Sequence, residues 1–240
     1  MESELYGSLS RLFTPSDLNA GAEIALPENH AHYLRNVLRK NTGDTIRLFN
    51  GRDGEWVAEI TALSKKSAAA KPLKKLRDQP PAPPAVHLIF APIKKARLDF
   101  LIEKAVELGV THLHPVITAR TENRNLNQER LNAQIVEAAE QCERMDIPVC
   151  FDSTPLDKKV AAWNAAPEIL WCYERSDAAA LGSFPLKSPT FLIGPEGGFD
   201  DREIRYLSQQ AFIRSISLGP AILRAETAAL YCLSCAKNQS

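Results

Sequence analysis

Phe191-Leu-Ile-Gly-Pro-Glu-Gly-Gly-Phe199 runs from an apolar strand into a glycine-rich loop, and Asp200-Asp-Arg-Glu203 then opens a helix. Asp at an N-cap with Glu three positions later is a capping box. Glycines at 194, 197 and 198 let backbone approach a ligand closely and leave amide donors on the loop. No Gly-Lys-Ser/Thr follows, and the glycines do not fit G-x-G-x-x-G, so neither nucleotide fingerprint is present. A plain strand-to-helix connection has little need of three glycines and a glutamate, which makes the loop a candidate site. One strand later, Ser217-Leu-Gly-Pro-Ala-Ile-Leu-Arg-Ala-Glu-Thr-Ala228 repeats the arrangement. Gly219-Pro220 forces a turn, and Arg224, Glu226 and Thr227 crowd the next helix start. Two such loops on successive strands could wall one flat-ligand pocket, with Leu218, Ile222 and Leu223 against an aromatic ring.

Upstream, the same rhythm continues. Val86–Phe90, Val110–Val116, Glu168–Tyr173, Thr190–Ile193 and Ile213–Leu218 read as short buried strands. Helices are predicted between them, notably over Leu98–Leu108, Gln128–Arg144 and Ala225–Ala236. Alternating strand and helix predicts an α/β fold around a parallel sheet, with ligands at the carboxyl ends of the strands. Gln79-Pro-Pro-Ala-Pro-Pro84 separates this region from one of different style. Before it, Thr45–Phe49 and Glu55–Ile60 flank the turn Asn50-Gly-Arg-Asp-Gly54 as a hairpin, Glu23–Leu26 is a further strand, and Glu28–Lys40 reads as one helix. The expected organisation is a β-barrel over residues 1–72, a proline-rich linker over 73–85 and an α/β domain over 86–240.

The whole chain of 240 residues carries 29 basic and 29 acidic side chains. That neutrality conceals an asymmetry: residues 30–77 hold eleven Lys and Arg against four acids, a net +7 balanced by −7 elsewhere. Such a segment suggests a polyanion-binding module, although a solvated surface would look the same. No apolar stretch is long enough to cross a membrane, and the acidic start Met1-Glu2-Ser3-Glu4-Leu5 predicts no secretory signal. Five cysteines, an odd number without an export signal, predict a reduced cytoplasmic chain. Cys232-Leu-Ser-Cys235 has no second pair, and His30-x-His32 and His112-x-His114 lack ligating company, so no metal site is expected.

Ile193-Gly-Pro-Glu-Gly-Gly198 and Leu218-Gly-x-x-Ile-Leu-Arg-x-Glu-Thr-Ala228 resemble the RsmE family of bacterial 16S ribosomal RNA methyltransferases. The resemblance extends to Ser10-Arg-Leu-Phe13, His32-Tyr-Leu-Arg-Asn-Val-Leu-Arg39 with Gly43-Asp44, Lys104-Ala-Val-Glu-Leu-Gly109, Thr118-x-Arg120 and Glu137-Ala-Ala-Glu-Gln-Cys-Glu-Arg144. One departure is Ala221, where members often carry a basic residue. The resemblance implies a SPOUT-type parallel sheet with a C-terminal trefoil knot, preceded by a small PUA-like β-barrel. Connectivity rules alone argue against a threaded chain, so the knot is implied by likeness only.

The resemblance further implies methylation of uridine N3 with S-adenosylmethionine, on 16S ribosomal RNA or the small subunit, by a homodimer. The cofactor would lie among knot loops that follow Leu170–Glu174, span Gly194–Gly198 and span Leu218–Ala225. Its implied contacts are Leu170, Cys172, Tyr173, Gly194, Pro195, Glu196, Gly197, Leu218, Gly219, Leu223, Arg224 and Ala228, with adenine against Leu218 and Leu223. Because N3–H is a weak acid, a base or an anion-stabilising donor is expected. Glu196 and Glu226 are candidate bases, with Arg11 the third catalytic candidate; either glutamate could instead cap amides or pair with an arginine. Arg11, Arg35, Arg39, Lys40, Arg120 and Arg144 are candidate RNA ligands, and Arg224 a further anion partner. Two other activities fit the same residues: ribose 2′-O-methylation on a related fold, and RNA binding without catalysis.

Overall fold

The Asn50–Gly54 turn closes a hairpin: β3 (Thr45–Phe49) and β4 (Glu55–Leu63) pair antiparallel, with Phe49 opposite Glu55. Gly54 is needed there, since its φ is +87° and a Cβ would stand 2.2 Å from the Arg77 carbonyl oxygen. With β1 (Arg11–Phe13), β2 (Ile24–Leu26) and β5 (Ala68–Arg77), the hairpin makes a five-stranded sheet ordered β1-β3-β4-β5-β2. The computed structural model describes residues 6–163, 167–173 and 178–238. They fall into two units, the first reaching Ala82 and taking in Ala139–Ile147, the second formed by the rest. The anticipated boundary at residue 72 falls inside β5, which runs to Arg77 because the β4 partner strand is long enough to pair with it. The acidic start at residues 1–5 lies outside the described residues.

The helix expected over Glu28–Lys40 is shorter. An α-helix α1 (Glu28–His32) passes into a π-helical turn, Tyr33–Val37, and ends before Arg39, whose φ is +52°. Leu34 faces inward with Leu12, Ile46, Leu48 and Ile60 to form the core of this unit.

Beside that core sits a buried charge cluster. Glu55 is 1% exposed; Arg11 Nε donates to its Oε1 at 2.6 Å and Arg77 Nε to its Oε2 at 2.7 Å. Burial pushes the Glu55 carboxyl up, but the hydrogen bonds from Arg77 and Arg11 outweigh it and hold the group below the usual carboxylate range. Arg11 also lies 3.5 Å over the Phe49 ring and donates to the carbonyls of Ala139 (3.1 Å) and Arg144 (2.6 Å). Arg47 Nη2 reaches Glu143 at 2.9 Å, and Glu140 accepts from the Phe13 amide at 2.8 Å. These bonds bind residues 139–147 into the N-terminal unit.

The second unit is built on a parallel sheet, as the alternation of elements predicts. Its strands are β6 (His87–Phe90), β7 (His112–Ile117), β8 (Val149–Cys150), β9 (Thr154–Pro155), β10 (Ile169–Cys172), β11 (Ala179–Ala180), β12 (Thr190–Ile193) and β13 (Ile213–Ser217). Their order is β11-β13-β10-β12-β6-β7-β8, with β9 also on β7. The helices are α2 (Lys95–Glu107), α3 (Gln128–Gln141), α4 (Leu156–Ala161), α5 (Asp201–Ser208) and α6 (Ala225–Lys237). Gly109 ends α2 at φ +93°, while α3 stops at Gln141, short of the expected Arg144, before Glu143 turns left-handed at φ +59°. Ile89, Val116, Ile169, Trp171, Leu192 and Ile213 form the core of the sheet.

One patch of this unit is polar and aromatic at once. Lys159 Nζ donates to His114 Nδ1 (3.1 Å), which makes His114 Nε2 the donor to His87 Nδ1 at 3.0 Å. His112 stacks on His87 with centroids 4.3 Å apart, and Phe151 on His114 at 4.4 Å. The chain of bonds works only with neutral imidazoles. Burial, then neighbouring His112 and Lys159, pushes His87 down to about 4; burial, then Lys159 and the other histidines, pushes His114 down to about 3.

Two outcomes are expected. Glu55→Gln removes the carboxylate from the buried Arg11 and Arg47 and from the more exposed Arg77, and should cost about 3–5 kcal/mol in urea unfolding. The depressed histidines stabilise the fold fully above the ordinary imidazole value of 6.5 and lose that contribution as pH falls toward 4. Urea midpoints should therefore drop between those values, and His87→Gln should flatten the decline.

Candidate active site

A cavity of about 460 Å³ opens at the carboxyl ends of β10, β12 and β13. Cys172 and Tyr173 contribute from the end of β10, Ile193 through Phe199 from β12 and its loop, and Ile222 through Ala225 with Ala228 from the loop entering α6. Ile204 of α5, Arg97 of α2 and Arg120 complete the wall.

Local packing explains why the loop after β12 has its glycines. A Cβ on Gly194 would lie 2.6 Å from the Phe199 ring, so the ring packs directly on the bare glycine and would have to shift for any other residue. Phe199 is in turn set edge-on to Trp171 (centroids 5.6 Å), which stacks on Tyr173 at 4.5 Å. Gly197 faces Arg120, whose Nη1 donates to the Gly197 carbonyl at 2.8 Å. The predicted capping box is formed: Asp200 accepts from the Arg202 and Glu203 amides, and Glu203 accepts from the Asp200 amide. Glu203 also accepts from the Ala119 amide at 2.7 Å, latching the Arg120 turn to the start of α5.

The charged groups converge on Arg97. Its Nη1 lies 3.6 Å from Glu196 Oε1, and its Nε lies 3.8 Å from Glu226 Oε1. Glu196 is on the cavity wall with its side chain 30% exposed. Glu226 is behind the wall; its side chain is 11% exposed and its buried Oε2 has no hydrogen-bond partner. Arg97 was not anticipated from the sequence. A signal was present, however: Lys94 at the N-cap and Lys95 and Arg97 in the first turn crowd the start of α2 with no acid among them, contrary to what the helix dipole favours.

The residues singled out from the sequence separate into groups. Cys172, Tyr173, Gly194, Pro195, Glu196, Gly197, Leu223, Arg224 and Ala228 all line the cavity, as does Arg120. Leu170 is buried within β10, and neither Leu218 nor Gly219 lines the cavity; Ile222, 82% exposed, occupies the outer wall instead. The φ of +116° at Gly219 turns the chain so that the wall begins three residues later. Arg11 does not line this cavity; its guanidinium is buried among Glu55, Phe49 and two carbonyls as a clamp of the N-terminal unit. Arg144, its side chain 12% exposed, is tied to Asp146 at 2.5 Å. Arg35 and Arg39 are exposed and Lys40 is half-buried, all on the N-terminal unit. The part of the first implied knot loop at residues 174–177 lies outside the described residues. Cys232 is fully buried with its sulfur 3.5 Å from that of Cys172.

Fold and cavity together define an RNA methyltransferase carrying a PUA module. Residues 80–237 match the RNA methyltransferase domain family, and residues 26–73 match the RNA methyltransferase PUA domain. Among curated relatives, the chain is 34% identical over 225 residues to ribosomal RNA small subunit methyltransferase E of Rickettsia conorii, covering 92% of each. It is 26% identical over 242 residues to the Bacillus subtilis protein of that name, covering 95% of this chain and 94% of the relative. Among solved structures, ribosomal RNA small subunit methyltransferase E from Neisseria gonorrhoeae, bound to S-adenosyl methionine, is similar with a TM-score of 0.83 and 28% identity, covering 96% of this chain and 97% of that one. A putative methyltransferase from Legionella pneumophila in complex with the cofactor SAM gives 0.85 and 29%, at the same coverage. The chain belongs to the ribosomal RNA small subunit methyltransferase E family.

Gly194→Ala is expected to force the Phe199 ring outward, at a cost of about 1–3 kcal/mol from overpacking. Thermal unfolding of the variant, with the quenching of Trp171 fluorescence as a local probe, measures it.

Proposed function

We propose that this protein methylates N3 of a uridine in 16S ribosomal RNA, with S-adenosylmethionine as donor bound in the cavity between the β12 and β13 loops. The observation carrying this reading is that cavity, with Arg97 and Glu196 on its wall, in a chain of this family. Its size and lining fit the cofactor: apolar Ile193, Phe199, Ile222 and Leu223 suit an adenine ring, and Gly194 allows the backbone to approach it closely. The bound cofactor supplies a methyl group on a sulfonium, ready for in-line transfer. The protein's part is to exclude water, hold N3 on the line of the S–CH₃ bond and remove its proton. Of the two candidate carboxylates, Glu196 is the one on the wall and is assigned the proton-accepting role.

The N-terminal unit is assigned to RNA. Several of the eleven cations in residues 30–77 are engaged in ion pairs, Arg47 and Arg77 with Glu55 and Arg52 with Asp17, so phosphate contact falls to Arg35, Arg39, Lys40 and the exposed Lys65 and Lys66. Arg120, at the rim of the cavity, is a phosphate or base ligand close to the chemistry. We infer a homodimer in the cytoplasm, with the chain threaded as a trefoil knot through the cofactor loops. The outer face of α6 supports the dimer: Thr227, Tyr231 and Ser234 are exposed without a charge among them, and Tyr231 is 47% exposed. No helix of the described residues is long and apolar enough to cross a membrane.

Small-subunit particles incubated with the protein and labelled cofactor, digested to nucleosides and analysed by mass spectrometry, should yield 3-methyluridine at one position. Ribose-methylated nucleosides, or no labelled product, would overturn the assignment. In the same assay Glu196→Gln should lower kcat by about 10²–10⁴-fold, the range of a lost general base.

A further inference from the structure

We propose that Arg97 and Glu196 form a donor–acceptor pair that reads the imide edge of the target base, with Arg97 stabilising the charge that develops on a base carbonyl oxygen. Glu226 is then a positioning residue, holding Arg97 from behind the wall. The inference rests on the uridine-N3 reading above and extends it to a group that neither family likeness nor sequence pattern had singled out.

Four features of the structure lead there. Arg97 lines the cavity with its side chain 38% exposed, and among the described residues its guanidinium makes no hydrogen bond, so its side-chain donors are available to a ligand. At 3.6 Å its contact with Glu196 is longer than a hydrogen-bonded ion pair, and neither group is committed to the other. The buried Glu226 carboxylate lies 3.8 Å from Nε, the atom nearest the backbone end of the guanidinium, and so restrains the side chain without using its terminal nitrogens. Finally, Lys94 at the N-cap and Lys95 and Arg97 in the first turn of α2 oppose the helix dipole, a local cost that a purely structural design would avoid.

A guanidinium only donates hydrogen bonds and an ionised carboxylate only accepts them. Side by side on one wall, they complement a ligand edge that presents N–H next to C=O. Uracil offers that edge at N3–H, flanked by two carbonyls. Cytosine presents a bare N3 acceptor there, which would face the Glu196 carboxylate and be repelled. With uracil docked, the N3–H bond breaks and its proton passes to Glu196. The N3 lone pair forms the new bond to the methyl carbon as the carbon–sulfur bond breaks, its electron pair remaining on sulfur as a neutral thioether. Negative charge delocalised from N3 onto the carbonyl oxygen is met by Arg97, an arrangement already in place before the reaction.

The test compares wild type with Arg97→Met, Arg97→Lys and Glu226→Gln on small-subunit particles, with cofactor affinity measured separately by calorimetry. Arg97→Met should lower kcat by about 10²–10³-fold, as loss of an oxyanion donor does, while cofactor affinity is retained. Its residual rate should climb with pH as N3–H ionises unaided, and added ethylguanidinium should restore part of it. Arg97→Lys, which keeps the charge but offers a single ammonium, should lose less. Glu226→Gln should fall by a smaller factor than Arg97→Met. A wild-type rate in Arg97→Met, or a loss that only tracks weaker cofactor binding, would overturn the role of Arg97. If wild type labels a ribose or no base, the uridine-N3 reading itself fails, and the imide assignment with it.

Discussion

The site depends on β12 being paired along both edges, with β10 on one side and β6 on the other. Thr190, Phe191, Leu192 and Ile193 are all buried, as befits a strand covered on both faces. The chain leaves the sheet sharply at Gly194, over Phe199, and the loop that results becomes one wall of the cavity. The same pairing brings the start of α2, which follows β6, beside the end of β12, with the Ala91 amide donating to the Ile193 carbonyl. Arg97 reaches Glu196 because of that adjacency.

Charge is used differently in the two units. In the N-terminal one, Arg11, Arg47 and Arg77 surround a single buried carboxylate, which makes part of the apparent basic surplus structural. In the other, Arg97 stands between two carboxylates at distances that leave hydrogen-bonding capacity open. The first arrangement is a clamp with its donors consumed; the second is a site. Sequence composition counts these arginines alike, and only their partners separate them.

Much of the fold was legible. The hairpin at Thr45–Phe49, the strand at Thr190–Ile193 and the capping box at Asp200–Glu203 are set by local turn chemistry and apolar runs, and they occur as expected. β1 and β5 were missed as strands, since Arg11–Phe13 is too short to show a period and Ala68–Arg77 is three alanines followed by a lysine-rich run with a proline inside. The overlong helix at Glu28–Lys40 reflects an apolar period that persists through the π-helical turn and gives no mark of where the backbone changes.

By itself the sequence determined the strand–loop–helix units, the glycine-rich loop that proves to wall a cavity, and the family likeness carried by its residues. Those properties are local: they follow from spacing along a few residues and the conformations those residues allow. The tertiary structure alone decided which side chains share the cavity. It set Arg97 against Glu196, moved Glu226 and Leu218 off the wall, and consumed Arg11 in a buried clamp. The physical reason is that a side chain's role is fixed by its partners and burial, and those come from strands that are neighbours in the sheet yet distant in the chain: β6 lies beside β12 a hundred residues later.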